Sequence, residues 1–203
     1  MHIRNLLVPA LLLGATLAQP AAAQTVLPLS FEVRGGVVIP RGDFDDGANT
    51  GWSVGGTVHY RVAPMVSVYG GFEHAAFTVD DDEDFEDVDA DITDQGFRLG
   101  ARFDVPLGSM TGIGPWVEGG ATFNQTSIGL SDGSTSLDVD SDRGVGFEVG
   151  AGLSFAVAPK ISITPGVRYR SHKAKFSDLE GGPEESEVDV NYFSIDLGVH
   201  IRL

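Results

Sequence analysis

The sequence predicts an all-β chain: one eight-stranded antiparallel up-and-down transmembrane β-barrel with short periplasmic turns and long acidic extracellular loops. Three observations predict it. Eight segments alternate between an almost purely apolar face and a charged or small face, with the period of two that a strand imposes. The connections between those segments alternate between short and long, as an even-stranded membrane barrel requires. The N-terminus reads as an export signal, which delivers such a chain to an outer membrane.

The segments justify themselves in order. Leu29–Ile39 sets Leu29, Phe31, Val33, Val37 and Ile39 against Ser30, Glu32, Arg34 and Gly36, with Val38 as an exception. Trp52–Val62 sets Trp52, Val54, Val58, Tyr60 and Val62 against Ser53, Gly55, Thr57, His59 and Arg61. Val66–Thr78 is less clean, because His74 falls on its apolar face, opposite Ser67, Tyr69, Gly71 and Glu73; we expect His74 near the loop-side interface. Gly96–Val105 alternates Phe97, Leu99, Ala101, Phe103 and Val105 with Arg98, Arg102 and Asp104. A fifth segment runs over roughly 115–125 and alternates Val117, Ala121 and Phe123 with Glu118, Thr122 and Asn124. The clearest is Val145–Val157, with Glu148 and three glycines on its second face. Ile161–Ser171 carries Arg168 and Arg170, and Phe193–Leu203 carries Asp196, His200 and Arg202.

Residues 62–65 and 158–160 contain Pro64 and Pro159 and read as tight turns. Residues 106–114 are Gly-rich and somewhat longer. The connections 40–51, 79–95, 126–143 and 172–191 are long and acidic, so one end of the sheet carries all the long loops.

Parity does not say which face looks inward. A soluble lipocalin-type barrel places its apolar face inside. The charged face, however, holds small residues, among them Gly36, Gly55, Gly71, Gly100, Gly120, Gly150, Gly166 and Gly198. Small side chains suit a crowded interior beside long ones. Its strand cations are all Arg, namely Arg34, Arg61, Arg98, Arg102, Arg168, Arg170 and Arg202. A solvated sheet would use Lys as well. These seven meet six acids, Glu32, Glu73, Asp104, Glu118, Glu148 and Asp196, close to the balance that burial demands. The other face carries no Asp, Glu, Lys or Arg. There an Arg or Lys at the bilayer midplane would cost about 2–4 kcal/mol. The charged face is therefore read as the lumen. These 13 residues form the expected interior charge network, and His59 and His200 share its parity.

Composition excludes several functions. Lys plus Arg is 13 against 29 Asp plus Glu, a formal charge of −16, so no basic stripe exists for nucleic acid. There is no Cys, hence no disulfide, thiolate metal site, thiol nucleophile or lipoprotein anchor. Residues 1–23 read as a cleaved signal: Arg4, an apolar run over 6–18, and Ala21-Ala22-Ala23 before Gln24. That run is too short to span a bilayer as a helix. Residues 24–203 are the expected barrel domain.

The signal, the eight amphipathic segments, the alternate long loops and the final strand Tyr192–Leu203 together resemble the small outer-membrane β-barrel families. These comprise the OmpX and opacity-type proteins, the OmpA transmembrane domain and the porin-family outer-membrane barrel domain. The resemblance implies residence in the bacterial outer membrane, contact with its lipids and lipopolysaccharide, and no cofactor. One departure is Leu203, where such proteins commonly end in an aromatic residue that the assembly machinery reads.

An eight-stranded barrel is only wide enough for side chains to fill it. The expected role is therefore non-enzymatic, structural or surface-interacting, with a charge-plugged lumen. A narrow porin-like channel gated by rearranged Arg–Glu pairs is the first alternative. A lipid A-modifying enzyme or an exported soluble lipocalin-like binder is the second. Catalysis lacks a constellation. Ser171 and His172 are adjacent and so point to opposite faces, and no G-x-S-x-G elbow or metal-ligand His pair is read. The segment 80–94 holds ten acids in fifteen positions, and 131–142 and 178–189 add more. Weak divalent binding at these loops is expected, since Ca²⁺ favours several carboxylate oxygens. Asp138-Val139-Asp140-Ser141-Asp142 begins like a calcium loop, but Arg143 and Val149 stand where its Gly and Glu belong; no specific metal site is assigned.

Overall fold

The computed structural model describes residues 28–79, 89–105, 112–131, 136–176 and 186–203. The expected signal and the densest acidic stretch, 80–88, lie outside them. The strands are β1 (Leu29–Pro40), β2 (Gly51–Ala63), β3 (Val66–Thr78), β4 (Asp89–Asp104), β5 (Ile113–Ser131), β6 (Ser136–Asp140), β7 (Gly144–Ala158), β8 (Ile161–Phe176) and β9 (Ser186–Arg202). They run in the order β4-β3-β2-β1-β9-β8-β7-β5, and β4 pairs with β5 to close an eight-stranded antiparallel barrel. Closure leaves the barrel strands no free edge. The short β6 lies along the outer half of β5, where Ile128 faces Val139 and Ser127 faces Asp140. β6 and β7 thus follow one another along β5, interrupted at 141–143. There the Thr126 amide donates to Ser141 Oγ at 2.9 Å, and Asp142 bridges to Lys175.

The strands outrun the expected segments at one end. Residues 89–95, 126–131, 136–140, 172–176 and 186–192, expected in long loops or past strand ends, are strand. The physical reason lies in an inversion of polarity. In the half with the short turns, Glu32, Arg34, His59, Arg98 and Arg168 are buried inside, while Val33, Leu99 and Ile195 stand exposed outside. In the other half the inside is apolar: Val38, Ala75, Phe77, Ile92, Ala174, Phe176, Val190 and Tyr192 form one core. The outside there carries Asp91, Gln95, Lys173, Lys175, Glu187 and Asp189, all exposed. Lipid solvates the first half and water the second. Val38 is therefore no irregularity; it is where the interior face of β1 turns apolar.

A 3₁₀ turn, Gly42–Asp46, folds back into this upper core. Gly42 at φ +64° adopts a conformation that favours glycine. Phe44 enters the barrel mouth and meets the Phe77 ring edge-on at 5.0 Å. Phe77 meets Tyr192 in turn at 5.2 Å.

Candidate functional site

The membrane half of the lumen is filled by one cluster. Arg168 Nε donates to Glu118 Oε1 at 2.6 Å, its Nη2 reaches Glu32 at 3.3 Å, and its Nη1 donates to Asp196. Arg98 binds Glu118 at 2.6 Å, Glu148 at 2.7 Å and Glu73 at 3.8 Å. Arg170 binds Glu148 at 3.0 Å and Glu73 at 3.2 Å. Arg34 donates to Glu73 and lies 3.8 Å from Glu32. Arg102 binds Glu32 and Asp104, each at 3.0 Å, and approaches Glu118 at 3.9 Å. Five buried arginines thus face five buried carboxylates, with the half-exposed Asp104 at the rim. The planar guanidinium suits such shared, forked contacts. Breaking one partner would strand a buried charge, at several kcal/mol.

The cluster joins eleven of the thirteen expected residues and leaves out two. Arg61 is exposed near the end of β2, beside a register irregularity between Arg61 and Ala63. Arg202 ends β9, and its Nη2 donates to the Pro159 carbonyl at 3.3 Å. Both belong to the turn-side rim, around a cavity of about 300 Å³ that Ser30, Ser67, Arg102 and His200 also line. His74 stands on the outer face beside the exposed Trp52, ring centroids 5.6 Å apart.

Two aromatic residues share this interior: Tyr69, already on the charged parity of its segment, and Trp116, which the sequence reading did not place. Trp116 is fully buried, and the Arg102 and Arg168 guanidiniums stack on it at 4.4 and 4.9 Å. Tyr69 lies under Arg98 at 4.6 Å and donates to Glu148 at 2.6 Å. Such contacts combine cation–π attraction with packing. Gly152 and Gly166 leave the room that Trp116 occupies, and Gly100 and Gly120 the room for the Tyr69 hydroxyl; a Cβ at any of them would collide. Parity alone could have found Trp116 as well, since it shares a face with Glu118.

Asp94 is the larger correction. Its place in an acidic run suggested a loop, yet it is fully buried at the level where the interior changes from polar to apolar. It accepts from Asn124 Nδ2 at 2.6 Å and the Tyr192 hydroxyl at 2.9 Å, and lies 3.3 Å from His172 Nε2. Thr126 Oγ1 meets the same His172 nitrogen at 3.2 Å. Acid and hydroxyl therefore share one ring nitrogen. A relay triad needs them on opposite nitrogens, so this trio is a polar seal. Ser171 points to the other face of β8. Outside the bilayer, the Lys173 ammonium donates to Glu187, which holds that carboxylate below its ordinary range and raises the lysine.

Comparison with known proteins agrees with this architecture. None of the curated proteins matches the sequence. Neisserial surface protein A (NspA) aligns at 16% identity over 87% of this chain and 97% of that one, with a TM-score of 0.61. A major outer membrane protein of Thermus thermophilus aligns at 16% identity over 86% and 99%, TM-score 0.57. OprG of Pseudomonas aeruginosa aligns at 17% identity over 86% and 96%, TM-score 0.51. At these identities the likeness shows the fold. The model of the outer membrane protein beta-barrel domain matches residues 8–200. The chain belongs to that family, and its apolar belt sits in the outer membrane.

Proposed function

We propose that the protein is a non-enzymatic outer-membrane barrel with a charge-plugged lumen and a structural or surface-interaction role. One observation carries this reading. The five buried arginines and their carboxylates connect into a single cluster with members on β1, β3, β4, β5, β7, β8 and β9. A cluster that touches seven of eight strands fixes their register and fills the cross-section. Recording of the pure protein in a planar bilayer tests it. A silent membrane is the expected result; discrete conductance steps would replace the plug with a narrow ion path.

The remaining assignments follow the same reading. Residues 1–23 are a cleaved signal and 24–203 the barrel domain, so N-terminal sequencing of the membrane-inserted protein is expected to begin at Gln24. The apolar belt contacts membrane lipid and lipopolysaccharide. The acidic segments bind divalent cations weakly, and a calcium titration by calorimetry without heat would remove that claim. Lipid A mass spectra are expected to be unchanged by expression, because the Thr126–His172 hydroxyl–imidazole pair is buried and Asp94 holds the same ring nitrogen.

A further inference from the structure

His59 and His200 come from β2 and β9, far apart in sequence, and meet inside the turn-side end of the lumen with ring centroids 5.1 Å apart. Glu32 of β1 completes the group: its Oε2 lies 3.5 Å from His200 Nδ1. One ligand atom from each of the three lies within 4.8 Å of the other two. We propose that Glu32, His59 and His200 form a binding site for a divalent transition-metal ion of the Zn²⁺ or Co²⁺ class.

Three observations support it. His59 is 1% exposed, and neither of its ring nitrogens has a hydrogen-bond partner, nor has His200 Nδ1. A neutral imidazole carries one donor and one acceptor, and buried polar groups are nearly always satisfied. Unpartnered atoms on Arg34, Arg98, Arg170, Glu118 and His172 belong to side chains bonded through another atom, whereas both ring nitrogens of His59 lack a partner. Second, the spacing suits the ion. A tetrahedral site with bonds of about 2.1 Å places its ligand atoms roughly 3.4 Å apart. The Glu32–His200 pair already has that separation, at 3.5 Å, and the His59 ligand atom lies within 4.8 Å of both. Third, the site has an entrance: His200 lines the 300 Å³ cavity at the short-turn end, the periplasmic end of such barrels. Two imidazoles and one carboxylate select a borderline ion over Ca²⁺ or Mg²⁺, which take oxygen ligands. A solvent molecule from the cavity would fill the fourth position.

Arg102 and Arg168 also hold Glu32, at 3.0 and 3.3 Å. Each keeps other carboxylates, Arg102 on Asp104 and Arg168 on Glu118 and Asp196. An arriving cation therefore competes for Glu32 without stranding either guanidinium.

The test is Co²⁺ titration of the full chain folded in detergent, followed by visible absorption, with excess Ca²⁺ present to occupy the acidic segments. The expected result is a tetrahedral d–d band that saturates at one equivalent and is displaced by Zn²⁺. Its affinity should fall by at least about tenfold in His59→Gln and in His200→Gln. A boiled-versus-unboiled gel shift confirms that each variant is folded. The absence of a band at any ratio, or a band that both variants retain unchanged, would overturn the site and leave a buried water between the histidines.

Discussion

The two halves of this barrel use one backbone design with opposite chemistry. Below the Asp94–His172 seal, the lumen is held by arginines and carboxylates, and the outside is bare hydrocarbon. Above it, aromatic and aliphatic side chains fill the inside and charges cover the outside. The difference shows that a strand's inside is not inherently apolar or polar. The outer face matches what surrounds the barrel at that height, and the inner face takes the opposite chemistry. In lipid, the outward face must be apolar, and what remains for the inside is a neutralised charge network. In water, the outward face is polar, and the hydrophobic effect fills the inside.

That comparison can be broken or sharpened by substitution. The largest effect is expected in the lower half. Glu118→Ala removes the carboxylate shared by Arg98 and Arg168, and the loss should be about 3–5 kcal/mol in a urea unfolding titration in detergent. An unchanged midpoint would mean that the lumen is wet enough to solvate both guanidiniums. In the upper half, Phe77→Ala empties the centre of the Phe44–Phe77–Tyr192 stack. It should cost about 3–4 kcal/mol, confined to the mouth: hydrogen exchange should accelerate in residues 74–78 and 188–192 and stay slow around Arg98.

The boundary itself is tested on one strand. Leu99→Arg places a charge on the lipid face and should destabilise the folded barrel by about 2–4 kcal/mol in lipid vesicles. Gln95→Arg, on the same face four residues higher, should be close to neutral. Equal costs at both positions would move the water boundary off this level. The smallest effect belongs to Lys173→Gln, which removes an exposed pair with Glu187. Exposed pairs contribute little, so the gel-shift temperature should not move.

Much of this was legible before folding. The parity of Glu32, Arg98, Glu118 and Arg168 already placed them on one face, since side-chain alternation is a local property of an extended chain. What hid the upper half was its reversed pattern. Val188, Val190 and Tyr192 alternate with Glu187, Asp189 and Asn191 as regularly as any lower segment, but charge on the formerly apolar parity reads as the end of a strand. Asp94 was lost for the same reason, inside a run of acids. Tyr69 was read on the interior parity with Glu73, and Trp116 shares the parity of Glu118; what parity could not give was their stacking under the arginines.

The sequence by itself determined the strand faces of the membrane half, the number of barrel strands and the solvent those faces meet, because these follow from period-two alternation and the cost of charge in hydrocarbon. Only the tertiary structure decided which arginine meets which carboxylate, that Arg61 and Arg202 stop at the rim, that Asp94 seals the lumen and that His59 approaches His200. Those outcomes depend on register and shear around a closed barrel, and closure brings together residues from β1, β2 and β9 whose separation along the chain carries no information about their distance in space.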